Sequence, residues 1–98
     1  MIRDFFLGFI KLHILYHASK EPIYGLWLIE ELSHHGYKLS PGTLYPTLHK
    51  LEEENLLKSH AENRDGKIRK YYKTTPKGNR ILEEAKKKIN ILVEEIMK

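Results

Sequence analysis

The stretch Ser40-Pro41-Gly42-Thr43-Leu44-Tyr45-Pro46-Thr47-Leu48-His49-Lys50-Leu51-Glu52 admits few structures. Ser40 reads as a helix cap and Pro41 as the first helical residue, where a missing N–H costs nothing. Leu44, Leu48 and Leu51 then fall at i, i+4 and i+7, which commits one face of the helix to a core. The opposite face carries small and hydroxylic side chains and a tyrosine, free to touch something polar. Pro46 removes one internal hydrogen bond, at about 3 kcal/mol in a regular helix interior. A loosened first turn is therefore expected, with Gly42 as the point of closest backbone approach.

The other elements are read around this one. Ile2 to His17 is expected to be a helix with two apolar stripes, Phe5, Phe9, Leu12 and Tyr16 on one and Phe6, Ile10 and Ile14 on the other, hence two buried faces. Ser19 to Pro22 breaks the chain. Tyr24 to His34 reads as a second helix, with Trp27, Leu28 and Leu32 toward the core and Gly36 closing it. Tyr37 to Leu39 is expected to supply a short strand before the third helix, which runs from about Ser40 to Glu54 and stops at Asn55. Leu56 to Ala61 and Ile68 to Thr74 read as strands flanking an Asp65-Gly66 hairpin turn. Thr75-Pro76 caps and opens a last helix.

Helix, helix, helix, hairpin, helix is the order of a winged helix-turn-helix. The predicted fold is α+β, mostly α, with a two- or three-stranded wing. Residues 1–75 would form the DNA-binding domain, and residues 76–98 a long C-terminal dimerisation helix packing with the helix over 2–17. In such domains the third helix enters the major groove and the hairpin tip reaches the flanking backbone or minor groove. Charge agrees, because residues 37–80 hold ten Lys/Arg against five Asp/Glu and carry the whole positive excess of a chain whose net charge is +4. A localised basic field beside a candidate reading helix is the electrostatic footprint of a nucleic-acid binder. Arg64, Lys67, Arg69 and Lys70 cluster on the hairpin. On the third helix Ser40, Gly42, Thr43, Tyr45, Pro46, His49 and Lys50 complete the candidate DNA-contacting set, with Thr47 a further hydroxyl. No Arg, Asn or Gln lies between Ser40 and Glu54, so bidentate base reading is sparse and phosphate contact, shape and water carry more of the recognition.

Leu7 to Leu15, Tyr24-Gly25, Gly42-Thr43-Leu44-Tyr45-Pro46, Arg69-Lys70-Tyr71-Tyr72 and Thr75-Pro76-Lys77-Gly78 together resemble the PadR-like family of winged-helix transcriptional regulators, over nearly the whole chain. The resemblance implies a dimeric repressor with Thr43, Tyr45 and Pro46 at the DNA and Lys67 on the wing. Asn55 stands where glycine is usual in that pattern, and Thr74 where an aliphatic residue is usual.

In the last helix Leu82, Ala85, Ile89, Leu92 and Ile96 follow the 3, 4 spacing of a coiled-coil seam, widened by Val93. With Phe5 and Phe9 of the first helix they form the candidate dimerisation set. Glu83–Lys87, Glu84–Lys88 and Glu94–Lys98 are oriented as i, i+4 pairs on its outside. At 98 residues, the chain buries only about 60% of its unfolded surface, so support from a second copy is physically reasonable. The expected partners are a double-stranded DNA operator with inverted-repeat symmetry and a second copy, with room for a small-molecule effector.

Other classes fare worse. There is no cysteine, hence no disulfide and no thiolate metal site. Charges interrupt the longest apolar run, and the first residues lack a signal-peptide pattern, so a soluble cytoplasmic protein without a membrane partner is expected. His13 and His17 are spaced to share a metal, and His34-His35 sits at a helix end. No neighbouring Asp, Glu or Cys completes a ligand set, so neither a metal nor any other cofactor is expected. No nucleophile motif, phosphate loop or carboxylate pair points to an enzyme, and no catalytic residue is assigned. A winged helix serving protein interaction, RNA binding or metal sensing is the alternative reading.

Overall fold

A computed structural model describes residues 2–98, with side chains described from residue 4 onward. Its elements are α1 (Ile2–Lys20), β1 (Ile23–Tyr24), α2 (Gly25–His34), α3 (Pro41–Glu53), β2 (Leu57–Arg64), β3 (Lys67–Thr74) and α4 (Pro76–Ile96). The first helix runs three residues past His17, to Lys20, and Pro22 follows after one intervening residue. The hydroxyl of Ser19 donates to the Tyr16 carbonyl in its last turn at 2.6 Å.

The sheet is antiparallel in the order β1-β3-β2. Its third strand is Ile23–Tyr24, paired with Tyr72 and Tyr71, and not Tyr37 to Leu39 as expected. The reason is local: the Tyr37 N–H donates to the Leu32 carbonyl as α2 closes, which ties this segment to the helix end. The long hairpin pairs Leu57 with Thr74 through Arg64 with Lys67. Its two-residue turn places Asp65 and Gly66 at φ 53° and 80°, the doubly left-handed geometry that matches strand twist and that Asp-Gly tolerates.

The core gathers Ile10, Ile14, Leu15 and Ala18 of α1, Leu28 and Leu32 of α2, Leu44, Leu48 and Leu51 of α3, then Leu57, Tyr72 and Leu82. Thr75 forms the joint between the wing and the last helix. Its hydroxyl donates to the Asn55 carbonyl at 2.6 Å and accepts the Gly78 N–H at 3.0 Å. Asn55 itself sits at φ 63° just beyond the end of α3, the left-handed stop expected of it. At Gly78 any Cβ would collide with the Leu56 carbonyl, so the first turn of α4 passes the segment between α3 and β2 at a separation only glycine permits.

On α4 only one of the expected seam residues belongs to this core. Leu82 is buried within the chain itself and Ala85 half-buried, whereas Ile89, Leu92, Val93 and Ile96 are exposed. Leu82 is therefore corrected from the dimerisation set to the intramolecular core, because the first turns of α4 lie against α1. The ion pair observed on this helix is Lys86 with Glu83 at 2.9 Å, one turn apart in the i, i+3 sense, rather than any of the expected i, i+4 pairs. Among the described residues no helix is long and apolar enough to cross a membrane.

Candidate nucleic-acid interface

With Leu44, Leu48 and Leu51 anchored, helical periodicity dictates what α3 offers outward. Gly42, Tyr45, Pro46, His49 and Lys50 fall at i, i+3, i+4, i+7 and i+8, and all five are exposed. Thr43 is half-buried at the edge of this stripe. Thr47 is corrected out of it, being buried with its hydroxyl donating to the Thr43 carbonyl at 2.8 Å. Ser40 occupies the cap position with extended backbone, and its carbonyl accepts from Thr43 and Leu44. Its side chain makes no cap hydrogen bond and lies 3.4 Å from the Thr43 hydroxyl instead. The expected loosening is not seen, for the helix continues through Pro46. Pro46 is exposed and leaves the Gly42 carbonyl without its usual helical partner, so its cost is local to the first turns of α3.

Tyr45 leans across the start of α2. Its ring and hydroxyl lie where a Cβ on residue 25 would be, so Gly25 is what lets the tyrosine settle there. Beyond it opens a groove of about 390 Å³ between Tyr45, the Tyr24-Gly25-Leu26 corner and Lys67 to Lys70 of the wing. The sequence did not single out Tyr24, Leu26 or Ile68 for this place. Ile68 is 79% exposed at the wing tip, an unusual exposure for so large an apolar side chain; it shares a strand face with buried Tyr72, so alternation alone assigns it to the core side, and only its place beyond the core leaves it open.

The wing cations divide by register. Arg64 forms a two-pronged pair with Glu62, Nε and Nη2 at 3.1 and 2.9 Å from Oε1. His60 holds the other carboxylate oxygen at 2.8 Å. Hydrogen bonds from His60 and then Arg64 keep the Glu62 carboxyl below the usual carboxylate range, and the pairing raises Arg64 in turn. The Arg69 guanidinium lies 4.2 Å over the Tyr24 ring, half-buried against β1. Lys67 and Lys70 are exposed, with Lys70 Nζ 5.8 Å over the Tyr72 ring. Of the four expected wing contacts, then, Arg64 and Arg69 are engaged by the protein's own groups, whereas Lys67 stands free of any such pairing among the described residues. A second, shallower groove beside Gly42, Pro46 and Lys50 adds Lys11 of α1, a cation the sequence did not connect with α3.

Along α1 and α4 the chemistry is different. Phe5 is 66% exposed, and Phe5, Phe6 and Phe9 contact one another edge-on or tilted, with centroids 5.2 to 6.1 Å apart. Ile89, Leu92, Val93 and Ile96 continue the apolar surface on α4. The histidine reading also changes here. Glu31 of α2, distant in sequence, approaches His17 at 3.7 Å and His35 at 3.1 Å. Burial lowers the basicity of both His13 and His17. Neighbouring imidazoles push the same way at both, and the Glu31 carboxylate opposes them.

Residues 14–84 match the model of the transcriptional regulator PadR-like family. A transcriptional regulator of Mycobacterium tuberculosis, Rv3488, is 45% identical over 96 residues, covering 98% of this chain and 90% of the relative. A PadR family transcriptional regulator from Eggerthella lenta superposes with a TM-score of 0.83 at 34% identity over 98% of this chain and 85% of that one. A PadR-like regulator from Bacillus cereus gives 0.85 at 33% identity over 95% and 92%.

Proposed function

The chain belongs to the PadR-like family of transcriptional regulators, and from that premise we propose that it is a sequence-specific, homodimeric DNA-binding repressor. The observation that carries this reading is the exposed stripe of α3, Gly42, Tyr45, Pro46, His49 and Lys50, set beside a groove whose far wall is the lysine-bearing wing. A major groove accepts one α-helix, and the adjoining phosphate strand then runs where Lys67 and Lys70 stand. Gly42 lies in the first turn of α3, at the positive end of the helix dipole, which favours a phosphate. Base discrimination rests on few side chains, His49 among them, so the shape and deformability of the operator carry much of the specificity.

The dimer reading is supported by the apolar surface on α1 and α4. Phe5, Phe9, Ile89, Leu92, Val93 and Ile96 are each at least 40% exposed in the single chain, and clustered exposed apolar side chains mark an interaction surface. A two-fold pairing of these helices covers it and presents two copies of α3 to successive major grooves.

The test is selection of bound duplexes from a random pool, followed by titration at several salt concentrations. An enriched inverted repeat with half-sites roughly 10 base pairs apart, and an affinity falling steeply with salt, is the expected outcome. Salt-insensitive binding, or single-stranded RNA outcompeting duplex DNA, would replace this reading with a protein- or RNA-interaction module.

A further inference from the structure

His13 and His17 stand one turn apart on the inner side of α1. The last turn of α2 brings Glu31 against them, and His35, in the turn that closes α2, comes over the top. One ring nitrogen from each of the three histidines lies within 4.8 Å of the others. Glu31 Oε2 is 3.1 Å from His35 Nε2 and 3.7 Å from His17 Nε2. The rings are held from outside: His13 stacks on His35 with centroids 4.9 Å apart and meets Tyr37 edge-on, and His17 meets Trp27 edge-on at 5.2 Å.

We propose that His13, His17, His35 and Glu31 form a binding site for a divalent transition-metal ion of the zinc class. Three imidazole nitrogens and one carboxylate oxygen are the donor set of borderline cations, and Mg²⁺ or Ca²⁺ would instead require oxygens throughout. With metal–nitrogen bonds near about 2.1 Å, tetrahedral ligands stand roughly 3.4 Å apart, so side-chain shifts of less than about 1 Å per nitrogen bring the three imidazoles into range. The carboxylate supplies the negative charge that three neutral imidazoles lack. Without an ion, Glu31 bonds His35 and faces His17, while His13 stacks on His35. The site lies at one end of an apolar cavity of about 530 Å³ between α1 and α4, which also includes Phe9, Leu82 and Ile89. An ion held there joins α1 to the end of α2, immediately before the turn that leads into α3.

Cobalt(II) titrated into the untagged full-length chain tests the site without reference to DNA. One equivalent per chain is expected, with visible ligand-field bands of four-coordinate intensity, displaced by zinc and untouched by magnesium. His35 is exposed, so His35→Ala keeps the fold and should weaken binding by at least the 10- to 100-fold that loss of even an outer-shell partner costs. Glu31→Gln and His13→Ala should do the same in chains whose circular dichroism is unchanged. His60→Ala, on β2 beside Glu62 and away from the cluster, should leave affinity as it was. No uptake by the wild type, or equal loss from His60→Ala and His35→Ala, overturns the assignment.

Discussion

At the wing end of the molecule the outward-facing groups are hydroxyls, glycines, prolines and lysines, whereas along α1 and the far half of α4 they are phenylalanines, isoleucines, leucines and a valine. Both surfaces begin from an amphipathic helix with an anchored apolar stripe. On α3 the stripe is consumed by the core and what remains is polar, so the free face suits a hydrated polyanion. On α4 the stripe outruns the core after about two turns, and its apolar continuation suits another apolar helix. The contrast teaches that exposure is informative relative to the anchor: Leu82 and Ile89 share one heptad pattern, yet the first is 5% exposed and the second 40%.

The hardest test of that contrast is Ile89→Asp. If Ile89 faces a second copy, the charge is buried without a partner at a cost of several kcal/mol. Sedimentation should show a monomer that keeps its helical circular dichroism. A wild-type chain that is itself monomeric at micromolar concentration would break the comparison. Leu82→Ala should act differently, taking about 2 to 5 kcal/mol from the chain's own stability, seen as a lowered denaturant midpoint. Ile89→Ala, by comparison, should shift the midpoint only as far as it loosens association.

At the polar end the effects are smaller. Tyr45→Phe keeps the ring over Gly25 and removes one hydroxyl, so binding should weaken by about 1 kcal/mol per half-site while footprinting shows the same protected sequence. Unchanged affinity would mean the hydroxyl faces the α2 corner alone. Lys67→Ala should lower affinity for all duplexes alike and flatten the plot of log affinity against log salt by roughly one unit per subunit. Arg64→Ala, with its guanidinium already on Glu62, should change that slope least. If Arg64 proves the stronger of the two, the internal pairing does not survive contact with DNA.

What could be read in advance was what neighbouring residues decide among themselves. Ser40-Pro41, Asn55, Asp65-Gly66 and Thr75-Pro76 each start or stop an element through their own backbone chemistry, and the structure places boundaries at all four. What escaped was decided across the fold. Ile23–Tyr24 becomes a strand only because β3 lies beside it. A heptad pattern cannot say whether its partner helix is the chain's own, which is why Leu82 was assigned to the wrong contact. The separate roles of the wing cations depend on cross-strand and inter-element neighbours, Glu62 for Arg64 and Tyr24 for Arg69. Glu31 meets His17 only once α1 and α2 have packed.

The joint at Thr75 has a mechanical consequence. One hydroxyl binds both the carbonyl beyond α3 and the first turn of α4, Lys77 Nζ adds a bond to the Glu54 carbonyl at 3.1 Å, and Gly78 lets α4 lie against the Leu56 carbonyl. Three hydrogen bonds within a few residues tie the first turn of α4 to the segment on which α3 ends. With an arm of about 30 Å, each degree of tilt at the joint displaces the far end of α4 by roughly 0.5 Å. A shift in how α4 lies against a neighbour therefore reaches the segment that follows α3 through Thr75 and Lys77.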